Sequence, residues 1–263
     1  MNPNRRALMG AAIGGLGAAT ALAATRTARP GLNTLATTPV AVQQEVASSQ
    51  VRRCMNRYET LLSMGYIQRA LAEFALSQPD VQADVGFGLY YGPDSVKKLF
   101  IDVHGMMLGD ADKKTLKNGA TYLLANTTDI IEVAEDLKTA KGLWLCPTLS
   151  TPGDEKQGFS ARTGYAHRVA DFVNENGKWK LWHYMVYGLT GAPAGKSWTD
   201  PEVVAANQVN RYGWIPDHLK PDRPQAPGIG AAGGWRPDRP VTEVQVPAPY
   251  RTFAETFSYG FKL

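Results

Sequence analysis

ENGKWKLWHYMVYG, residues 175–188, reads as a β-strand entered through a hairpin turn. Asn176-Gly177 is a strong two-residue hairpin signal, and the residues after it alternate with the period of a strand. One face carries Trp179, Leu181, His183, Met185 and Tyr187; the other carries Lys178, Lys180, Trp182, Tyr184 and Val186. Unbroken alternation therefore predicts that His183 sits on the greasier face and points into the core or a pocket.

Three more strand-like runs precede this one: Ala120 to Val133, Ala140 to Pro147, and Thr163 to Asn174. AEDLKTAKG turns the first into the second. Upstream, Cys54, Tyr58, Leu61 and Gly65 lie at helical spacing, with Leu62, Ala72 and Phe74 widening the stripe, until Pro79-Asp80 stops it. Val81 to Gly92 reads as a strand pair or one bent strand. A second helix is predicted from Ser95 to about Leu108, with Val96, Leu99, Phe100, Val103 and Met107 on its apolar face. Helices followed by antiparallel strands give an α+β fold.

From Gly191 onward the composition changes, with ten of the 17 prolines. Little helix or central strand is expected there. Yet Trp198, Trp214, Trp235, Phe253, Phe257 and Tyr259 argue against a disordered tail. The expectation for residues 191–263 is an extended arm packed across the domain or onto a second subunit. Residues 24–48, Ala/Thr-rich, read as a flexible linker, and residues 49–190 as the folded domain.

Hydrophobic residues make up 44% of the 263, enough for a core. The sequence pI of about 9.0 reflects the N-terminus. The 28 basic residues include Arg5, Arg6, Arg26 and Arg29, and subtracting these four leaves 24 against 24 acids. A formally neutral remainder excludes a nucleic-acid surface. Residues 1–23 combine an arginine pair, a Gly/Ala-rich apolar run and Ala21-Leu22-Ala23, the pattern of a twin-arginine export signal. That implies a bacterial, periplasmic protein with no membrane association after cleavage. Cys54 and Cys146 lack metal spacing and are expected as buried thiols. No metal, phosphate-loop or nucleophile-elbow motif occurs.

Several segments share features with a known family. They are Ile131-Glu132-Val133-Ala134-Glu135-Asp136 leading through Lys138-Thr139-Ala140-Lys141-Gly142, then Asp171-Phe172-Val173, Gly177-Lys178-Trp179-Lys180, Trp182-His183, and a tail ending Tyr250-Arg251-Thr252-Phe253 and Glu255-Thr256-Phe257-Ser258-Tyr259. Over roughly residues 50–200 the chain resembles the SnoaL-like branch of the nuclear transport factor 2-like superfamily. The resemblance implies a cone: a strongly curved antiparallel sheet wrapped around N-terminal helices, with a deep pocket and dimerisation through the outer sheet face. It also implies cofactor-free chemistry, as in polyketide cyclases, scytalone dehydratase and ketosteroid isomerase, although the superfamily includes pure binding proteins. Sphingomonad lyases that release formaldehyde from lignin-derived dimers are similar in class. Met185 stands where many members of the branch carry a second histidine.

The candidate catalytic residues are His183, Tyr58, His104 and Asn126. A histidine can take or give a proton near neutral pH. A tyrosine can donate to a developing oxyanion, and a polar Asn in an apolar run needs partners. Tyr122, Tyr187, Trp179, Met185, Asp171 and Phe100 are candidates for substrate contact, with Asp171 alternatively orienting a histidine. Against each stands an ordinary core role. The resulting expectation is a cofactor-independent lyase, with no metal, acting on a hydroxylated aromatic substrate by dehydration or formaldehyde-releasing C–C cleavage of a lignin-derived dimer. The alternatives are a steroid-type dehydratase or double-bond isomerase, or a non-catalytic small-molecule carrier. Asn126 and His183 should share a face; opposite faces would overturn a mechanism that pairs them.

Overall fold

The structure, a computed structural model, describes residues 39–109, 116–151, 153–154, 158–208, 213–224 and 234–262. The export signal and most of the expected linker lie outside these residues. The first element, helix α1, is Val40–Ser63. Residues 40–48 are thus helix, where a linker was expected. Their Ala, Gln and Glu content favours helix, and Gln44 Nε2 donates to the Val133 carbonyl at 2.7 Å, tying these early turns to the sheet. Val51, Cys54, Met55, Tyr58 and Leu62 form the buried stripe. Gly65, at φ 81°, takes the left-handed turn that ends the helix.

The short helix α2 (Ile67–Leu71) follows, then two short strands, β1 (Gln82–Asp84) and β2 (Tyr90–Tyr91), paired antiparallel. Helix α3 (Pro93–Lys98) begins on proline, runs into a π-helical turn at Leu99–His104, and ends in α4 (Gly105–Leu108). The expected strand over Ala120–Val133 is two strands, β3 (Tyr122–Leu124) and β4 (Asp129–Val133). Both pair with β5 (Thr139–Ser150), β4 along its first half and β3 along its last residues. A two-stranded hairpin, β6 (Gly153–Asp154) with β7 (Gly158–Phe159), precedes the long strands β8 (Arg162–Glu175) and β9 (Lys178–Pro193). Asn176 and Gly177 both have positive φ in the β8–β9 turn, as the hairpin signal required.

The main sheet has the order β2-β1-β9-β8-β5-β3, with β4 also on β5. It is antiparallel apart from β1, which runs parallel to β9. The fold is α+β, a curved open sheet whose one face receives the helices. That helix-facing side holds the core: Tyr58, Phe74 and Phe100 from the helical layer, against Trp144, Cys146, Ala170, Phe172, Trp179, Leu181 and Tyr184 from the strands. Cys54 and Cys146 are both free and buried.

Alternation along β9 is not continuous. Phe172 pairs with Leu181, but Asp171 pairs with His183, so Trp182 is an extra residue in β9. This β-bulge reverses the parity. Trp179 and Leu181 face the helices, as do Tyr184 and Val186 beyond the bulge. Met185 and Tyr187 belong to a second cluster on the opposite face, with Leu143 and Val169. His183 goes with them, which corrects the expectation that it points into the cone. Trp182 is held by a 2.8 Å bond from its indole N–H to Asp80, stacks on His183 and tilts against Phe253.

The arm covers that opposite face of its own chain. Val244, Phe257, Tyr259 and Phe261 pack on Leu89, Leu143, Val169 and Met185. Two backbone bonds fasten it, from Glu135 N to Tyr250 O at 3.1 Å and from Asp136 N to Arg251 O at 3.2 Å. Among the described residues, the arm contains one regular element longer than a turn, helix α5 (Pro201–Gln208), where little helix was expected. A proline opens it, at the one helical end where the missing N–H costs nothing.

Under the arm lies a buried ionic cluster. Lys141 Nζ donates to Asp171 Oδ1 at 2.7 Å, and His183 Nδ1 lies 2.8 Å from Asp171 Oδ2. Ser258 Oγ and the Tyr259 N–H donate to the same carboxylate oxygen at 2.8 and 2.9 Å. The Lys141 ammonium also sits 4.4–5.9 Å from the ring centres of Phe257, Phe253, Tyr259 and Tyr250. Burial opposes the Asp171 charge, but His183 and Lys141 outweigh it and hold the carboxyl below its ordinary range. Asp171→Ala would leave Lys141 buried and uncompensated. It is expected to cost about 3–5 kcal/mol in urea unfolding; a loss under about 1 kcal/mol would refute this account of the cluster.

Candidate active site

A cavity of about 310 Å³ opens on the helix-facing side of the sheet. Its wall is mostly apolar or aromatic: Val85, Phe87, Met107, Leu124, Val186, Tyr58, Tyr122, Tyr165 and Tyr184. Polar groups come from Arg162, Arg168, Thr148, Ser150, Thr190 and Asn207. The size and mixture suit a small organic ligand held in one orientation.

Three elements build the deep end. Helix α1 presents Tyr58 and, next in sequence, Glu59; β8 presents Arg168; β9, past the bulge, presents Tyr184. The Tyr184 hydroxyl donates to Glu59 Oε1 at 2.8 Å, and Arg168 forms an ion pair with the same oxygen. Glu59 Oε2 is buried with no hydrogen-bond partner among the described residues. Tyr58 is held edge-on by Phe74, Phe100 and Tyr184, with ring centres 5.2–5.8 Å apart. Its position is therefore fixed by packing.

Burial shapes the chemistry of these groups. It pushes the Glu59 carboxyl up, against the lowering effects of Arg168 and Tyr184. It pushes Tyr122 to about 12, and Tyr58 and Tyr184 well above their ordinary value. Arg168 is raised: burial lowers it, but Glu59, Tyr184, Cys146 and Tyr122 together outweigh burial. The result is three protonated phenols that can donate, a permanent cation, and a carboxyl poised to exchange a proton through Tyr184.

The residues singled out from sequence fall into separate places. Tyr58 and Tyr122 meet in the cavity. Asn126 accepts from Cys146 Sγ at 3.3 Å and donates to Asn56 of α1 at 3.3 Å, beside the helical layer. Phe100 and Trp179 are core residues on the same side. His183, Asp171, Met185 and Tyr187 lie on the opposite face beneath the arm. Asn126 and His183 are therefore not brought together, and a mechanism joining them is overturned. Ser258 approaches His183 at the same nitrogen that Asp171 occupies, at 3.1 Å, so the three do not form a nucleophile relay.

His104 is fully buried in the π-helical turn, stacked on Phe100 at 4.9 Å and 6.4 Å from the ring of Phe87, a cavity-wall residue. It stands behind the wall rather than in it. The sequence reading passed over Glu59, Arg168 and Tyr184. The first two carried a signal. Glu59 falls between Met55 and Leu62 on the buried helical stripe, and Arg168 alternates with Ala166, Ala170 and Phe172. A charge at an apolar periodic position needs a partner, and these two partner each other.

No protein-family model matches the chain, and no curated protein matches it either. The chain is similar to several solved structures, some of them described as nuclear transport factor 2-like proteins. A hexachlorocyclohexane dehydrochlorinase of type 2 is 16% identical, over 60% of this chain and 98% of that one, with a TM-score of 0.42. A nuclear transport factor 2-like superfamily protein from Salmonella enterica is 12% identical over 58% and 98%, with a TM-score of 0.44. A related protein with a cystatin-like fold from Novosphingobium aromaticivorans is 16% identical over 64% and 93%, with a TM-score of 0.40.

Burial lowers the His104 imidazole from 6.5 to about 4, and the Leu99 backbone offsets only part of this. Folded His104 stays neutral where the unfolded chain already binds a proton. Its stabilising contribution is complete above about pH 6.5 and is lost as pH falls towards 4, by roughly 3 kcal/mol in all. His104→Phe is expected to flatten that part of the pH–stability curve. Chemical unfolding of the native chain and the variant at pH 4.5 and 7 measures it; parallel curves would refute the assignment.

Proposed function

We propose that the chain is a cofactor-independent lyase that acts on a hydroxylated aromatic substrate in this cavity. The observation that carries the reading is the Tyr184–Glu59–Arg168 group at its deep end. A phenol in the wall hands its proton to a buried carboxyl, beside a fixed cation. A substrate hydroxyl next to Tyr184 can lose its proton to the phenol oxygen as Tyr184 passes its own to Glu59. Arg168 and the Tyr58 and Tyr122 hydroxyls stabilise the oxyanion that develops.

The finer reading is a lignin-type two-ring diol. Its primary alcohol is deprotonated, and the carbon–carbon bond to that carbinol breaks to release formaldehyde. The electron pair of that bond becomes the new double bond to the benzylic carbon. The benzylic hydroxyl leaves as water, protonated from Glu59 through the tyrosines. A diol gives a conjugated alkene, formaldehyde and water, with no change of redox state overall. Simple dehydration uses the same proton path without the carbon–carbon cleavage. The export-signal pattern would place this activity in the periplasm.

Purified protein given lignin-type diols, with steroids as controls, should yield formaldehyde or conjugated absorbance from the diols. Tyr184→Phe and Glu59→Gln should each lower kcat by roughly a hundredfold or more, the usual scale of lost acid–base catalysis. His183→Ala, measured per folded molecule, should stay within about threefold of the native chain. No turnover of any such compound, or full activity in both cavity variants, would overturn the reading.

A further inference from the structure

We propose that the cavity rim binds a carboxylate through Arg162, so that the substrate is an aromatic acid with its anion remote from the reacting hydroxyl. The inference rests on the lyase reading above and names the substrate class of that same site. Among the described residues, the cavity wall contains two arginines and no acid. They are not equivalent. Arg168 is neutralised by Glu59 directly behind it. Arg162 lies at the start of β8, and its side chain makes no ion pair or hydrogen bond with any described residue, although it is half-buried. Burial lowers its pKa, and no neighbouring acid compensates.

A guanidinium cannot release its charge, so a partly dry, unpaired one raises the potential of the cavity wall towards anions. Its fork of N–H groups fits a carboxylate in two parallel hydrogen bonds. The neighbouring wall is also short of partners. The Ser150 position pairs with Arg162 across the β5–β8 ladder and lines the same cavity. The Thr190 hydroxyl is buried with no hydrogen-bond partner among the described residues, and it lies between the two ends of the cavity. A substrate oxygen there would satisfy it.

Spacing sets the substrate's length. Arg162 and Arg168 are six residues apart on one strand, roughly 20 Å at the strand rise. One aromatic ring is too short to place a hydroxyl at the deep end and a carboxylate at the rim. Two linked rings span it, and the wall between them offers Tyr165, Val186 and Gly188 as a surface for a flat molecule.

The test uses the full chain and two inert fluorescent probes, 4′-hydroxystilbene-4-carboxylate and its methyl ester. The native chain should bind the carboxylate at least tenfold more tightly than the ester at low salt, the scale of one charge-assisted hydrogen-bonded pair. That preference should shrink in salt. Arg162→Gln should reduce it to within about twofold, and Arg162→Lys should restore part of it. Equal binding of the probes by the native chain, binding of neither, or a preference that survives Arg162→Gln would each overturn the proposal. Turnover of neutral diols without carboxylate preference would remove the Arg162 assignment and leave the lyase. Carboxylate preference without any turnover would do the reverse.

Discussion

One extra residue in β9 decides what each face of the sheet contains. With Trp182 bulged out, Tyr184 turns to the helices while His183 turns to the arm. Without it, His183 would meet the core and Tyr184 would be carried away from Glu59. The bulge is therefore stabilised on both sides. Phe74 bridges to Leu181 just before it, and the Trp182 indole is bonded to Asp80. A bulge also increases local twist and bend. The same residue that re-aims the side chains thus helps curve the sheet around the cavity.

The two faces then use buried charge for different ends. Under the arm, Asp171 is saturated: its carboxylate accepts from a lysine, a serine and a backbone N–H and contacts the imidazole. Four aromatic rings from the arm complete the lysine's surroundings. Such a cluster engages the carboxylate fully and leaves one imidazole nitrogen, His183 Nε2, without a hydrogen-bond partner among the described residues. It makes the arm's attachment specific, because no other segment would supply the same hydroxyl, amide and rings. Behind the cavity wall, Glu59 keeps one oxygen without a partner among the described residues, while Tyr58 and Tyr184 line the cavity. Incomplete satisfaction is costly for stability and is what chemistry requires.

The sequence is informative where periodicity and turn chemistry act locally. The α1 stripe through Cys54, Tyr58 and Leu62, the Asn176-Gly177 turn and the α+β order of elements all follow from spacing. Period-2 counting fails at Leu189 and, with more consequence, at Trp182, where the bulge is held by tertiary contacts with Asp80 and Phe253 that lie far away in sequence. The slip at Trp182 moves His183, Met185 and Tyr187 across the sheet. The opening turns of α1 were illegible for a similar reason: their weak apolar pattern gains its support from Val133 in the sheet. Tyr58 and Tyr122 were legible as site residues because no bulge intervenes on their elements.

The arm also changes what the opposite sheet face can do. The resemblance implies dimerisation through that face, yet Phe257, Tyr259 and Phe261 of the same chain already occupy the surface of Leu143, Val169 and Met185. A second copy approaching there would meet the arm's outer side, not the strands. Apolar side chains that stay exposed elsewhere include Leu123, Leu149, Phe159 and Tyr165. All four belong to β3, β5, β7 or β8 at the end of the sheet where Arg162 begins its strand. The end of the sheet where Arg162 and Ser150 line the cavity is therefore also one that exposes aromatic and aliphatic side chains.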